Sequence, residues 1–227
     1  MTDLTAKTIA KMIDHSLLQP QMTRTEIEEG CEIAKKYDTA SVCVRGYDVA
    51  YCVRKLEGTN VLVCVVTGFP HGNSTTAAKV FESKDAIANG AGEVDVVIPI
   101  GLVRSGMYDY MKEELTAVHK ACSKNNVPLK VIFENAYLSK EEIAQCAQVC
   151  DALDVAFVKT STGYAPSGAV AEDVKIMREN VKDSIKIKAA GGVRTLDQLL
   201  ELYELGVTRF GTRSTVDIMA EAIKRGL

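Results

Sequence analysis

Val155-Ala156-Phe157-Val158-Lys159-Thr160-Ser161-Thr162-Gly163 reads as a short apolar strand that ends in a lysine and runs into a small-polar, glycine-closed turn. Ser184-Ile185-Lys186-Ile187-Lys188, leading into Ala189-Ala190-Gly191-Gly192, repeats the pattern. A lysine is seldom fully buried unless something pairs with it or uses it. Two lysines at two strand ends, each followed by a loop suited to an anion, suggest amine chemistry on a phosphorylated carbonyl compound.

Outward from these two segments the chain alternates β-branched runs with helical periods. Candidate strands are Met12–His15, Ala40–Arg45, Val61–Thr67, Glu93–Ile98, Leu129–Glu134, Val155–Lys159, Lys186–Ala189 and Thr208–Gly211. Helical segments fall near 23–37, 47–57, 75–89, 106–124, 140–150, 168–180, 195–205 and 215–225. Thr23 with Glu26, Ser139 with Glu142, and Thr195 with Gln198 have the spacing of capping boxes, in which side chains satisfy orphan backbone donors. Leu196, Leu199, Leu200 and Tyr203 form the apolar stripe of a helix packed on a sheet, and Ile143, Cys146, Ala147 and Cys150 repeat it. Eight strand–helix alternations in 227 residues predict an α/β fold, a single-domain (β/α)8 TIM barrel over residues 1–227. The rival, an open doubly wound sheet, calls for a glycine fingerprint after the first strand, and Asp14-His15-Ser16-Leu17-Leu18 has none.

Composition narrows the function classes. A formal charge of −3 with no dense basic cluster argues against a nucleic-acid partner. No apolar run reaches the ~18 residues of a membrane span. Met1-Thr2-Asp3-Leu4 lacks the features of a signal peptide, so a cytoplasmic location is expected. Seven scattered cysteines, without a C-x-x-C pair, read as reduced apolar thiols in a reducing compartment. His15, His71 and His119 follow no metal-ligand spacing, so neither a metal nor another cofactor is expected. His119 is assigned to the surface, and His71, at a strand end, to the border of the pocket.

In a barrel the chemistry sits at the C-terminal ends of the strands, and residues two apart share a face. An inward Lys159 therefore takes Phe157 with it, and the interior gathers Asp95, Lys130, Glu134, Lys159 and Lys188. A purely structural interior is dominated by Val, Ile and Leu, and buried charges are costly unless paired. Lys130 and Glu134 read either as a structural ion pair or as part of the site. Lys186 enters its strand early and is assigned to the bottom rim or solvent.

Only a neutral amine attacks a carbonyl, and at an ordinary pKa near 10.4 on the order of 1 lysine in 10³ is neutral at pH 7. Desolvation and a neighbouring cation both disfavour the ammonium form. One lysine can then act as nucleophile while the other supplies the positive field, with Asp95 moving protons directly or through a water. Gly191-Gly192-Val193-Arg194 after strand seven and Gly211-Thr212-Arg213-Ser214 after strand eight suit a phosphate, since phosphate sites recur at those two loops.

These motifs resemble the class I deoxyribose-phosphate aldolases over nearly the whole length. The likeness is carried by Asp14-His15-Ser16-Leu17-Leu18, Val66-Thr67-Gly68-Phe69-Pro70-His71-Gly72, Gly92-Glu93-Val94-Asp95-Val96-Val97 and Lys130-Val131-Ile132-Phe133-Glu134, together with the two lysine segments. It implies reversible cleavage of 2-deoxy-D-ribose 5-phosphate to acetaldehyde and D-glyceraldehyde 3-phosphate, in deoxyribonucleoside catabolism. It implies Lys159 as the Schiff-base lysine, Lys188 as the lysine that perturbs it, and Asp95 as proton donor or acceptor. Thr162, Gly163, Gly191, Gly192 and Ser214 fall where the family holds phosphate. Arg213 stands where many members carry a small serine; it either adds a phosphate contact or swings outward. Asn135 and the Tyr164-Ala165-Pro166-Ser167 loop also depart from the pattern. Another lysine aldolase or transaldolase, and a sugar-phosphate-binding protein without activity, are the competing readings. The expected partner is a small sugar phosphate, with a homodimer as the default assembly.

Overall fold

The structure, a computed structural model, describes residues 4–227. Its helices and strands alternate as α1 (Ala6–Ala10), β1 (Ile13–Leu17), α2 (Arg24–Tyr37), β2 (Ser41–Val44), α3 (Val49–Lys55), β3 (Leu62–Thr67), α4 (Thr76–Ala88), β4 (Glu93–Val97) and α5 (Ile100–Val103). They continue as α6 (Tyr108–Ser123), β5 (Leu129–Ile132), α7 (Lys140–Ala152), β6 (Phe157–Lys159), α8 (Ala171–Glu179), β7 (Lys186–Ala190), α9 (Leu196–Glu204), β8 (Val207–Thr212) and α10 (Thr215–Lys224). The eight strands are parallel and pair in sequence order, and β1 closes on β8. This is the (β/α)8 barrel that the alternation predicts.

Side-chain parity divides the core in two. Outward residues such as Val42, Val65, Val96, Val131, Phe133, Val158, Ile187 and Phe210 pack on buried helix residues, among them Ile27, Cys31, Met111, Leu115, Ile143, Cys146, Ile218 and Met219. The three expected capping boxes start α2, α7 and α9, each with the N-cap side chain on the N3 backbone and the reverse contact in place. A smaller apolar cluster of Leu18, Cys43, Cys64 and Val66, packed with Phe69, is separate from this shell. All seven cysteines are free and buried.

Several boundaries differ from expectation for local reasons. β1 runs on to Leu17, because pairing with β2 continues through Ser16↔Cys43 and Leu17↔Val44. A short helix, α1, precedes it, capped by Thr5 and Thr8 and packed against α10. The segment expected as one helix from 47 begins as a 3-10 turn at Gly46–Asp48. The short α5 precedes α6, which itself starts at Tyr108, and α8 starts at Ala171. β5 stops at Ile132 because Glu134 turns into the left-handed region at φ 57°. A register shift between Ile187 and Lys188 brings Arg209 level with Lys188.

His15 has the opposite parity to Asp14; its Nδ1 lies 2.8 Å from the Thr215 hydroxyl of α10. Burial lowers its pKa from 6.5 to about 4. Between those values the unfolded chain binds a proton that the folded chain refuses. Stability therefore rises with pH across this window and is lost as pH falls through it. We expect the wild type to lose about 2 kcal/mol more than His15→Gln between pH 8 and pH 5. Urea unfolding at the two pH values measures this, and an equal loss in both proteins contradicts it.

Candidate active site

The inward faces of the strands carry charge. Asp14 of β1, Glu93 and Asp95 of β4, Lys130 of β5, Lys159 of β6 and Lys188 of β7 are all buried. Arg209 of β8 adds a guanidinium that is nearly buried. Strand register sets this cluster: Asp95 pairs in register with Lys130, Ile132 with Lys159, Lys159 with Lys188, and Lys188 with Arg209. The lysines therefore climb around the barrel wall and converge on one acid.

That acid is Asp95. Its Oδ2 accepts hydrogen bonds from Lys159 Nζ and Lys188 Nζ, both at 2.7 Å. Its Oδ1 accepts from Lys130 Nζ at 2.9 Å and from the Cys64 thiol at 3.0 Å. Lys188 Nζ also lies 2.5 Å from Asp14 Oδ2. Lys130 donates to Glu93 at 2.7 Å, and Arg209 ties Asp14 and Glu93 together at 2.7 and 3.0 Å. Ser41 completes the set with a 2.7 Å hydrogen bond to Asp14.

The electrostatics follow from this geometry. Burial pushes the Asp95 carboxyl up, but Lys130, Lys159 and Lys188 outweigh it and hold the group well below the ordinary carboxylate range. Asp14 is lowered in the same way, with burial opposed by Lys188, Lys130 and Arg209. Burial disfavours the charges on Lys130 and Lys188, yet their carboxylate neighbours raise both above the usual lysine value. Three carboxylates thus face four basic groups: Lys130, Lys188, Arg209 and Lys159. Release of a proton from Lys159 leaves three cations against three carboxylates, a neutral cluster.

Lys159 differs from the other two lysines in what lies above it. A cavity of about 150 Å³ opens at the strand ends, and Lys159 is the one lysine in its lining. Thr162, Gly163, Gly191, Gly192 and Ser214 all line the same cavity, as do Arg194 and Arg213. Lys188 and Asp95 do not; they sit below, out of contact with solvent. The β6 and β7 loops are pinned together by close backbone approach. Ala169 N donates to Gly191 O at 2.9 Å, and a Cβ on Gly168 would lie 2.0 Å from that oxygen.

The anticipated anion-binding residues are not equivalent. The Thr162 hydroxyl donates to Glu134 and accepts from Tyr164 N, so it is already engaged. Gly191 and Gly192 hold φ near +80°, the left-handed region glycine tolerates. The Ser214 N–H donates to the Thr212 hydroxyl, while its own hydroxyl makes no helix-capping bond.

Lys130 and Glu134 do not form the ion pair considered from sequence: Lys130 turns to Glu93 and Asp95, while Glu134 binds Thr162. Burial raises the Glu134 carboxyl despite those hydrogen bonds. Lys186 is exposed, with its ammonium near the Phe157 ring. His71 borders a neighbouring space with Glu134, Tyr137 and Tyr164.

Sequence reasoning missed Asp14, Glu93 and Arg209. Parity offered a signal for two of them, since Glu93 is two residues before Asp95 and Arg209 two before Gly211. It also missed the buried pair of Lys79 and Glu114, 2.6 Å apart between α4 and α6. Lys79 Nζ donates to Val97 O at 2.8 Å, which anchors the end of the strand that carries Asp95. Two buried triads, Cys43–Cys64–Asp95 and Asp14–Cys64–Glu93, have metal-binding proximity. Lysine ammonium groups already occupy their carboxylates, so the charge a metal would neutralise is taken.

Comparison with known proteins agrees with this geometry. Residues 8–208 match the family model described as DeoC/LacD family aldolase. The chain is 47% identical over 210 residues to deoxyribose-phosphate aldolase 2 of Staphylococcus aureus strain COL, covering 92% of this chain and 94% of that one. A solved structure named QR15, an aldolase, superposes with a TM-score of 0.91 at 35% identity, covering 100% of this chain and 98% of the other. The tetrameric deoxyribose phosphate aldolase of Aeropyrum pernix shares the fold at a TM-score of 0.89 and 24% identity, over 98% of this chain and 94% of that one. This chain belongs to the DeoC/LacD family of aldolases.

Proposed function

We propose that this chain is a class I aldolase that reversibly cleaves 2-deoxy-D-ribose 5-phosphate to D-glyceraldehyde 3-phosphate and acetaldehyde, in deoxyribose phosphate catabolism. The observation that carries the reading is the position of Lys159. It is the cation in excess of the buried carboxylates and the one lysine that faces the cavity. The reading is further supported by the kinship with deoxyribose-phosphate aldolases.

The Lys159 amine attacks the open-chain aldehyde carbon of the sugar, and loss of water gives the iminium. The iminium withdraws electrons as the C2–C3 bond breaks. The C3 hydroxyl proton leaves, glyceraldehyde 3-phosphate departs, and an enamine of acetaldehyde stays on Lys159. Protonation at carbon and hydrolysis then release acetaldehyde. Asp95 is a strong acid held by lysines, so it serves better as a relay than as a store of protons. Its Oδ2 lies 2.7 Å from Lys159 Nζ, so a proton can pass directly between that carboxylate and the reacting nitrogen. Lys188 keeps a positive charge beside the reacting nitrogen throughout, since Asp14 and Asp95 raise its pKa.

The loops after β6, β7 and β8 hold the phosphate in this account, with Gly163, Gly191, Gly192 and Ser214 as donors and Thr162 as the support that fixes the first loop. We further propose a cytoplasmic enzyme that works as a homodimer. Seven buried free thiols suit a reducing compartment. Tyr47 and Phe81, about 70% and 69% exposed beside an apolar groove, supply a surface for a second copy. No helix among the described residues is long and apolar enough to cross a membrane.

Turnover of 2-deoxyribose 5-phosphate, run beside a keto-sugar phosphate, tests the reaction. We expect the deoxy sugar to be cleaved faster and Lys159→Leu to abolish cleavage. Faster turnover of the keto sugar, or full activity without Lys159, rejects the assignment. For Lys188→Leu we expect slower turnover and an acid limb of the kcat/KM profile moved to higher pH, because a cation beside the nucleophile is removed. An unmoved profile excludes that role.

A further inference from the structure

We propose that Tyr164 is a specificity-determining residue for the bond-forming direction of the reaction. Its ring bars the barrel mouth, keeps the acceptor aldehyde in the polar cavity above Lys159, and shuts off an apolar compartment suited to an aliphatic aldehyde. The proposal rests on the reading of the site as that of a class I aldolase and goes beyond it by naming what excludes apolar acceptors.

Tyr164, which follows β6, is held at three points. Its N–H donates to the Thr162 hydroxyl at 3.1 Å, and Thr162 in turn donates its own N–H to Glu134, beyond β5, at 3.1 Å. Its hydroxyl donates to Leu18 O, just past the end of β1, at 2.7 Å. Its ring meets Phe69, beyond β3, with centroids 5.5 Å apart and planes at 88°, the edge-to-face arrangement aromatic pairs favour. In the closed sheet β6 stands three strands from β1 in one direction and three from β3 in the other. These contacts therefore carry the side chain over the barrel mouth rather than along its rim.

The two sides of this bar differ in chemistry. On one side lies the cavity of about 150 Å³ that holds Lys159, lined mostly by glycines and polar side chains. On the other lies a groove of about 800 Å³ whose lining includes Leu18, Val66 and Phe69, members of the inner apolar cluster with Cys43 and Cys64. Leu18 and Tyr164 are the two residues that line both spaces, so the hydrogen bond between them is the partition. Leu18 and Val66 are buried, whereas Tyr47 and Phe81 are exposed, so this floor is distinct from the surface assigned above to a second copy. In the bond-forming direction the enamine of acetaldehyde on Lys159 attacks the acceptor carbonyl carbon. The enamine electron pair becomes the new C2–C3 bond, the acceptor oxygen takes a proton to become the C3 hydroxyl, and water hydrolyses the iminium to free the product and Lys159. These steps are the same for any aldehyde, so what the acceptor carries beyond its carbonyl decides its fit. An aliphatic chain finds little apolar surface in the polar cavity, and Tyr164 closes the way to the apolar floor.

The test compares hexanal and glyceraldehyde 3-phosphate as acceptors, with acetaldehyde as donor, in wild type, Tyr164→Phe and Tyr164→Ala. We expect the kcat/KM ratio of hexanal to glyceraldehyde 3-phosphate to rise about tenfold in Tyr164→Ala, the gain from burying two further methylene groups. Tyr164→Phe keeps the ring and loses its tie to Leu18 O, and should lie between. An unchanged ratio, or an equal change for both acceptors, overturns the proposal. Calorimetric binding of hexanoate and acetate to the same three proteins reads the partition without turnover. If the wild type joins acetaldehyde to neither acceptor, the proposed reaction fails, yet a gain in affinity for hexanoate and not for acetate in Tyr164→Ala still supports the partition. Equal changes for the two carboxylates overturn it.

Discussion

Asp95 Oδ2 holds two lysine ammonium groups at 2.7 Å each, and the barrel interior is organised around that shared oxygen. Buried charges are tolerated only in excellent mutual geometry. Here each carboxylate touches two or more cations, and each of Lys130, Lys188 and Arg209 touches two or more carboxylates. Lys159 touches only Asp95. It is therefore the member with the fewest carboxylate contacts, and it is the member nearest the open cavity. Reactivity and position coincide at one side chain because register places Lys159 level with Lys188.

The surrounding fold keeps that geometry in place. The apolar shell between strands and helices is continuous around the barrel, so the strands cannot rotate to relieve the inner charges. A one-residue slip would send Asp95 to the helix side and Val96 inward, and both changes are costly. The Lys79–Glu114 pair adds a specific tie at the end of β4. Above the cluster, the close approach of Gly168 to Gly191 brings two loops to a distance no larger side chain permits. Rigid chemistry below and tailored loops above are the usual division of labour in this architecture.

Much of this was legible in the chain because period-two alternation fixes parity. Once Val155–Lys159 reads as a strand, Lys159 and Phe157 share a face, and the same holds for Asp95 on β4. The three capping boxes and the eightfold alternation carried the fold. Asp14 escaped notice because a single acid in a short first strand has no local partner; its partners, Lys188 and Arg209, lie far along the chain. The ion-pair alternative for Lys130 and Glu134 fails for a different reason. Parity predicts a shared face only while the chain stays extended, and Glu134 has left the strand at φ 57°. The engagement of the Thr162 hydroxyl by Glu134 was equally invisible, since it depends on where two loops meet.

The most direct test of the account is borohydride reduction in the presence of acetaldehyde, followed by peptide mass spectrometry. The account predicts a stable ethyl adduct on Lys159 and none on the enclosed Lys188 or Lys130. An adduct on either of those lysines, or no adduct on a folded protein, would contradict the claim that the excess charge of the cluster marks its nucleophile.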